Sequence, residues 1–475
     1  MIEPEDDAFT VTTWESRHSG TDDNEDNEDD DDLYPTIRDQ VIDDIQPEVF
    51  LEIDDYVPYH LLDYASPSFH TNMLNDVTDA IYDAVLNSGI CEDTDSNHQE
   101  IAEMVVAASE TYFDSARIYP IRSYPPDTDP ATLQRTRTPQ EIKRQIVHLK
   151  SLPQPPQRTP EWYSFRHNLL TASSISDALG TPAQKNKLIC EKCKPAWGAG
   201  DSSGASGAPP VATAPNVLSA THHGQKYEQV AVMIYEAMYP GNRVDTDFGC
   251  IRHPGHAFIG ASPDGVVVAG PRMGHMLEIK NTVSRVIDDT PILKHWVQCQ
   301  VQMEVCDLEY CDYLQTCIGE ISQEAFYAKD EDNEPTWKGV ILYLISKKEG
   351  AANYKYLYMP ISDASRQPGP VGGVPGAVEA WTRSQMAAYA DEYHLFETLY
   401  WRLQHVSCVI IPRNRAWFQA ALPYFAELWA TVEHDRVHGY EHRLPRKRGA
   451  AAGGGAGAGS RMCGALYNTI VKLDA

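Results

Sequence analysis

The residues best placed to do chemistry are Pro263-Asp264 and, after thirteen intervening residues, Glu278-Ile279-Lys280. On a strand, residues two apart share a face, so Glu278 and Lys280 point the same way and Asp264 can reach them from a neighbouring strand. Two carboxylates and the Ile279 carbonyl are hard oxygen ligands for Mg²⁺ or Mn²⁺, and the ammonium can orient a metal-bound water. Such a set suits phosphodiester hydrolysis. Leu277 and Ile279 are apolar and face a core, which leaves Glu278 and Lys280 together on the opposite side. The bland reading is a surface lysine beside two acids, because P-D and E-x-K arise easily by chance. Glu228, in the run GQKYEQVAVMIYEAMY, can complete the metal shell or simply face solvent.

These residues need elements to hold them. Thr159-Pro160 opens TPEWYSFRHNLLTASSISDALG, with apolar residues at helical spacing after a Thr cap and a Pro at the first helical position. The run around Glu228 reads as a helix. FGCIR, AFIGAS, GVVVAG and MLEIKNTV then have strand character, separated by Gly, Pro and His turns, and predict a curved mixed sheet. A helix over Ile292 to Val305, strands YCDYLQTCI and GVILYLIS, and a long helix from about Val378 to Gln404 follow. This order predicts an α/β core, a mixed central sheet flanked by helices.

The chain of 475 residues suggests roughly three units. Its net charge of −29 argues against a nucleic-acid partner only until it is divided. Residues 1–120 hold 32 of the 68 acidic residues and three arginines, while the remainder balances 36 acidic against 36 basic residues and leaves room for a basic groove. We read residues 1–45 as an acidic arm, disordered around TDDNEDNEDDDD, and 46–120 as a small acidic helical region. Residues 121–158 read as a Pro-rich linker and 159–435 as the main domain, with a mobile insertion at 198–216. Residues 436–475 form a basic and Gly/Ala-rich tail, in which Arg446, Lys447 and Arg448 suit a nuclear-import signal, phosphate contacts or a solvated end. Ten scattered cysteines point to a reducing compartment, and an acidic start with no run of 18 apolar residues supports neither secretion nor membrane insertion. The expected location is intracellular.

Other candidates are weaker. Cys190 and Cys193 have CxxC spacing without a second pair, so cysteines packed on a helix compete with a zinc knuckle, and His222-His223 stand apart from them. GAAAGGGAGAGS lacks the Lys-Ser/Thr of a phosphate loop. His253 and His256 flank a turn, where polarity is the default reading.

Several ordered segments carry a more specific signal: Trp162, Arg166, Thr171-Ala172-Ser173, Gly224-Gln225-Lys226-Tyr227-Glu228, Ser262-Pro263-Asp264-Gly265, Leu277-Glu278-Ile279-Lys280 and Gln298-Cys299-Gln300. In this order the chain resembles the lambda-exonuclease-like and YqaJ-type viral recombinase nucleases of the PD-(D/E)xK superfamily, which includes the herpesvirus alkaline nucleases. The likeness runs from about Thr159 to Ile318. It implies a restriction-endonuclease-like core and a Mg²⁺-dependent deoxyribonuclease, with Mn²⁺ as substitute, acting 5′ to 3′ on duplex DNA ends in recombination, repair or genome processing. By the same resemblance Glu228, Asp264, Glu278 and Ile279 bind metal, Lys280 is the catalytic lysine, Gln298 lies near the scissile bond, and Arg166 and Ser173 hold the 5′-phosphate. Double-stranded DNA and a single-strand annealing protein are the implied partners, in a host nucleus or cytoplasm. A structure-selective or restriction-like endonuclease and an inactive DNA-binding scaffold stay open, as does the oligomeric state.

Overall fold

The computed structural model describes residues 37–61, 63–64, 66, 68–116, 122–134, 136–155, 159–195, 220–283, 287–328, 337–348, 354–361 and 376–444. Residues 1–36 of the expected arm, the insertion 198–216 and Arg446 to Arg448 lie outside them. Among the described residues, no helix is long and apolar enough to cross a membrane.

Three helices come first: α1 (Ile37–Tyr59), α2 (Phe69–Asn87) and α3 (Asp95–Ala116). One compact unit takes α1 as far as Ile53 and residues 74–110. It buries Val49 and Ile53 on α1, Val77 and Ile81 on α2, and Ile101 and Val105 on α3. Each pair is four residues apart, which is one helical face.

The second unit holds the rest of the chain. The stretch expected as a linker carries α4 (Pro139–Ser151), opened by a Thr138/Glu141 capping box. Flanking residues attach this stretch to the unit, through Tyr124 N–H to the Ile410 carbonyl at 2.8 Å and Arg137 Nη1 to the Asp307 carbonyl at 2.7 Å. Helices α5 (Pro160–His167), α6 (Pro182–Cys193) and α7 (Ala220–Met238) follow. The first of these is shorter than the sequence suggests. After α5, Leu170–Thr171 form strand β1 and Ile175–Ala178 a 3₁₀ turn. The Thr171 hydroxyl bonds those of Ser173 and Ser174 at 3.3 and 3.0 Å, the local side-chain bonding that competes with a continuous helix.

Strands β2 (Arg243–Asp245), β3 (Ile251–Arg252), β4 (Ile259–Ala261), β5 (Gly265–Ala269) and β6 (Met276–Thr282) lead to helix α8 (Leu293–Cys306) and strand β7 (Tyr310–Ile321). Next come helix α9 (Gln323–Tyr327), strands β8 (Lys338–Ser346) and β9 (Tyr354–Tyr358), helix α10 (Ala377–Tyr389), strand β10 (Tyr393–Pro412) and helix α11 (Arg415–His438). The main sheet has the order β2-β5-β6-β7-β10-β8-β9, and β1-β4-β3 form a small second sheet. Within the main sheet only β6 and β7 are parallel. That pairing needs a crossover, and α8 supplies it. Residues Trp296 to Cys306 of α8 are all buried, polar ones included. On the other face α7 packs Ala231, Val232 and Tyr235 with Val267, Leu277, Ile279 and Leu314.

The helix expected from Val378 to Gln404 is corrected: α10 ends at Tyr389 and β10 runs for 20 residues. Leu399, Trp401 and Leu403 alternate inward on a strand paired on both sides, with β7 and with β8. Both partners are distant in sequence, so local spacing alone does not reveal the pairing. Gly339 sits opposite Trp401 in that register, and a Cβ there would collide with the indole. Gly339→Ala is therefore expected to destabilise the chain by about 1–3 kcal/mol, read as a lowered urea midpoint, whereas an unchanged midpoint would show that the indole yields freely.

Candidate active site

The site is built on the β5–β6 hairpin and the crossover helix behind it. Asp264 ends the loop entering β5, and its Oδ2 accepts the Ile279 N–H at 2.7 Å, which ties it to the middle of β6. Leu277 and Ile279 face α7, so the strand period turns Glu278 and Lys280 toward α8. Lys280 Nζ donates to Glu278 Oε1 and, at 3.2 Å, to Gln298 Oε1. Burial raises the Asp264 carboxyl well above its ordinary range, and the neighbouring Glu278 and Glu228 carboxylates push it further the same way. For Lys280 burial acts downward, yet the Glu278 and Asp264 charges outweigh it and hold the ammonium protonated.

Glu278 is 1% exposed and gripped by α8. Gln298 Nε2 donates to its Oε1 at 2.7 Å, and Gln302 Nε2, one helical turn on, donates to its Oε2 at 2.7 Å. Gln302 was not singled out in the sequence, although the i, i+4 spacing from Gln298 is the signal that reveals it. Gln300 points elsewhere, to the Pro412 carbonyl and the Asn414 N–H.

Arg166, on α5, forms the other end. Its guanidinium lies over the Trp162 ring at 4.4 Å and donates to Ser262 Oγ at 3.4 Å and Ser173 Oγ at 3.3 Å. Ser173 reaches it from the turn after β1, not from a continued helix. The backbone beneath is clamped: Lys192 Nζ donates to the Arg166 carbonyl at 3.1 Å and Arg436 Nη2 to the His167 carbonyl at 2.8 Å. Burial pushes the Lys192 ammonium down to about 8, partly offset by Glu191. In the Cys190-Glu191-Lys192-Cys193 segment it is the lysine that touches this machinery, while the Cys193 thiol meets the Val432 carbonyl at 3.7 Å.

Both ends open into one cleft of about 640 Å³, whose lining includes every residue singled out above for this chemistry: Arg166, Ser173, Glu228, Asp264, Glu278, Ile279, Lys280 and Gln298. Gln302, His295 and Asn281 line it too. Glu228 enters from α7. The first turns of that helix are tied to β6 by Asn281 Nδ2, which donates to the Gly224 carbonyl at 2.8 Å. Among the described residues no group of three or more His, Cys, Asp or Glu is ready-made for a metal. Of the remaining candidates, His222 and His253 have structural partners. His222 Nε2 meets the Tyr356 hydroxyl at 2.7 Å, and His253 Nδ1 accepts the N–H groups of Gly255 and His256, each at 3.0 Å. Burial and the neighbouring His256 push His253 down to about 4, so it organises its turn as a neutral ring.

The fold is thus an α/β core with a mixed sheet, P-D before β5, E-x-K on β6 and a helical crossover to a parallel strand. Residues 161–309 match the family model of the YqaJ-like viral recombinase domain. An uncharacterized protein of Acanthamoeba polyphaga mimivirus, R354, is 28% identical over 327 residues, 61% of this chain and 55% of that protein. The chain therefore spans about half the length of this relative. Two crystal structures of the alkaline exonuclease LHK-Exo of Laribacter hongkongensis, one with dAMP, are each 18% identical and cover 59% of this chain and 95% of theirs, with TM-scores of 0.30 and 0.31.

Proposed function

We propose that this chain is a divalent-metal-dependent deoxyribonuclease that degrades duplex DNA from its ends, 5′ to 3′, in viral-type recombination, repair or genome processing. The observation that carries the reading is the shared cleft, with a guanidinium anchor at one end and a carboxylate and lysine set at the other. The YqaJ-like viral recombinase domain supports the recombination setting.

The residues fit a hard cation. Mg²⁺ is commonly held by one or two carboxylates and completes its shell with water and substrate phosphate, so Asp264 and Glu278, with Ile279 and Glu228 beside them, suffice without an all-protein cage. When bound there, Mg²⁺ or Mn²⁺ supplies Lewis acidity at the phosphate and acidifies water. The chain does the rest. Lys280, fixed by Glu278 and Gln298, presents its ammonium to the attacked phosphate and the incoming water. Gln298 and Gln302 keep the Glu278 carboxylate in one orientation. Arg166 and Ser173 hold the terminal phosphate and so set which bond reaches Lys280.

A terminal monoester carries more charge than an internal diester, so a fixed guanidinium favours an end. Linear duplex with 5′-phosphate is expected to be cut faster than 5′-hydroxyl duplex in Mg²⁺, with no cleavage in EDTA. Arg166→Ala is expected to shrink that preference about tenfold to hundredfold, with a smaller loss in Ser173→Ala, while slow cleavage persists. Single-turnover rates on the two ends and on closed circles decide it. Equal wild-type rates on both ends, or rapid nicking of circles, favour an endonuclease; no metal-dependent cleavage at all favours a DNA-binding scaffold.

A further inference from the structure

Gln302 is 1% exposed, and both hydrogens of its amide nitrogen are used: Nε2 lies 2.7 Å from Glu278 Oε2 and 3.4 Å from the Ser262 carbonyl. Its amide oxygen is different. Gln302 Oε1 is buried and has no hydrogen-bond partner among the described residues. Turning the amide over does not help, because that sets Oε1 against the Glu278 carboxylate and the Ser262 carbonyl, three acceptors with no hydrogen between them. A buried acceptor left unmade costs free energy, and Gln302 lines the polar cleft, so a donor that binds there can meet it.

The cleft says what kind of donor is missing. At the Arg166 end the unpartnered buried atom is a donor, the Trp162 Nε1–H, and that end is cationic. At the carboxylate end it is an acceptor, beside Glu278 and near Asp264. An acceptor among carboxylates suits a hydrogen carried by something positive. Water molecules bound to a divalent cation are such donors, with O–H groups polarised by the charge they coordinate. Gln302 also bridges the two ends, since it bonds the Ser262 carbonyl while the Ser262 hydroxyl accepts from Arg166.

We infer that Gln302 Oε1 accepts a hydrogen bond from the hydration shell of a divalent cation held by Asp264 and Glu278, making Gln302 a positioning residue for the metal as well as for Glu278. The inference rests on the metal-dependent reading above. It places Gln302 outside the ligand set and assigns its two ends separate tasks: the nitrogen aims Glu278, and the oxygen aims the hydrated ion.

Mn²⁺ binding to the full chain, measured without DNA by calorimetry and by the spin-resonance signal of free Mn²⁺, separates these tasks. Gln302→Met removes both ends of the amide, and its Mn²⁺ affinity is expected to fall about 10- to 100-fold, the usual cost of losing an outer-shell partner. Gln302→Glu keeps an acceptor and loses the donor to Glu278, so it is expected to bind Mn²⁺ at least as tightly as the wild type. Gln302→Asn, which withdraws the oxygen by one methylene, carries the same expectation as Gln302→Met and replaces it if that variant does not fold. Wild-type affinity in Gln302→Met, or equal weakening in Gln302→Met and Gln302→Glu, overturns the inference; the second result leaves the grip on Glu278 as the whole role. Glu278→Gln is the control for the underlying reading. If it binds Mn²⁺ like the wild type, or if the wild type binds none, the metal site falls and the role of Gln302 with it.

Discussion

Glu278→Gln or Lys280→Ala is expected to lower single-turnover DNA cleavage about 10²- to 10⁴-fold while the chain stays folded and still binds duplex DNA. Both side chains project from β6 into the cleft, whereas the strand's hold on the core runs through Leu277 and Ile279 on its other face. Glu278→Gln keeps the shape and removes the charge. It also places an amide where two glutamine N–H groups already donate, so one of its own donors must turn away from Gln298 or Gln302. Lys280→Ala empties the position between Glu278 and Gln298 and leaves the carboxylates without their ammonium. Arg166 remains to hold phosphate, which is why DNA binding outlasts turnover. Circular dichroism, DNA-binding anisotropy and quenched single-turnover assays together test this. Full turnover by either purified variant removes that residue from the mechanism.

What the sequence reveals of this site depends on how local the signal is. The alternation of Leu277 and Ile279 with Glu278 and Lys280 fits on one strand, and the Thr159-Pro160 helix start is equally local: Thr159 Oγ1 accepts the Trp162 N–H at 3.2 Å. Strand β10 is different. Its sequence tolerates a helical reading, and only the partners on either side, β7 and β8, decide that it is a strand. Lys192 and Gln302 escape notice for another reason. Each acts through its contacts with a neighbour, the Arg166 carbonyl and the Glu278 carboxylate, and those neighbours lie 26 and 24 residues away. The resemblance to a nuclease family points to the residues that meet substrate. It says less about the residues that hold them still.

The largest stability loss is expected deeper in the sheet, at Asp312. This fully buried carboxylate on β7 faces Leu277 of β6 across the parallel pairing. It accepts from Arg272 Nη1 at 3.0 Å, His275 Nδ1 at 2.9 Å and the Tyr235 hydroxyl. Arg272 and His275 lie in the turn between β5 and β6, and Tyr235 on α7, so one charge ties together the hairpin bearing the candidate site, its covering helix and the neighbouring strand. Asp312→Asn leaves the Arg272 guanidinium buried over the Tyr239 ring without its counter-charge, a loss of about 3–5 kcal/mol. Burial pushes the Asp312 carboxyl up, but His275, Arg272 and Tyr235 more than reverse this and hold it below its ordinary value. A group whose folded value is depressed stabilises the fold above its unfolded value, near pH 4, and that contribution fades as pH falls through the folded value. The gap between wild type and Asp312→Asn in urea unfolding should therefore be full at pH 7 and shrink below about pH 4. A gap under about 1 kcal/mol at pH 7, or one that widens in acid, means the charge is not what holds the hairpin to the sheet.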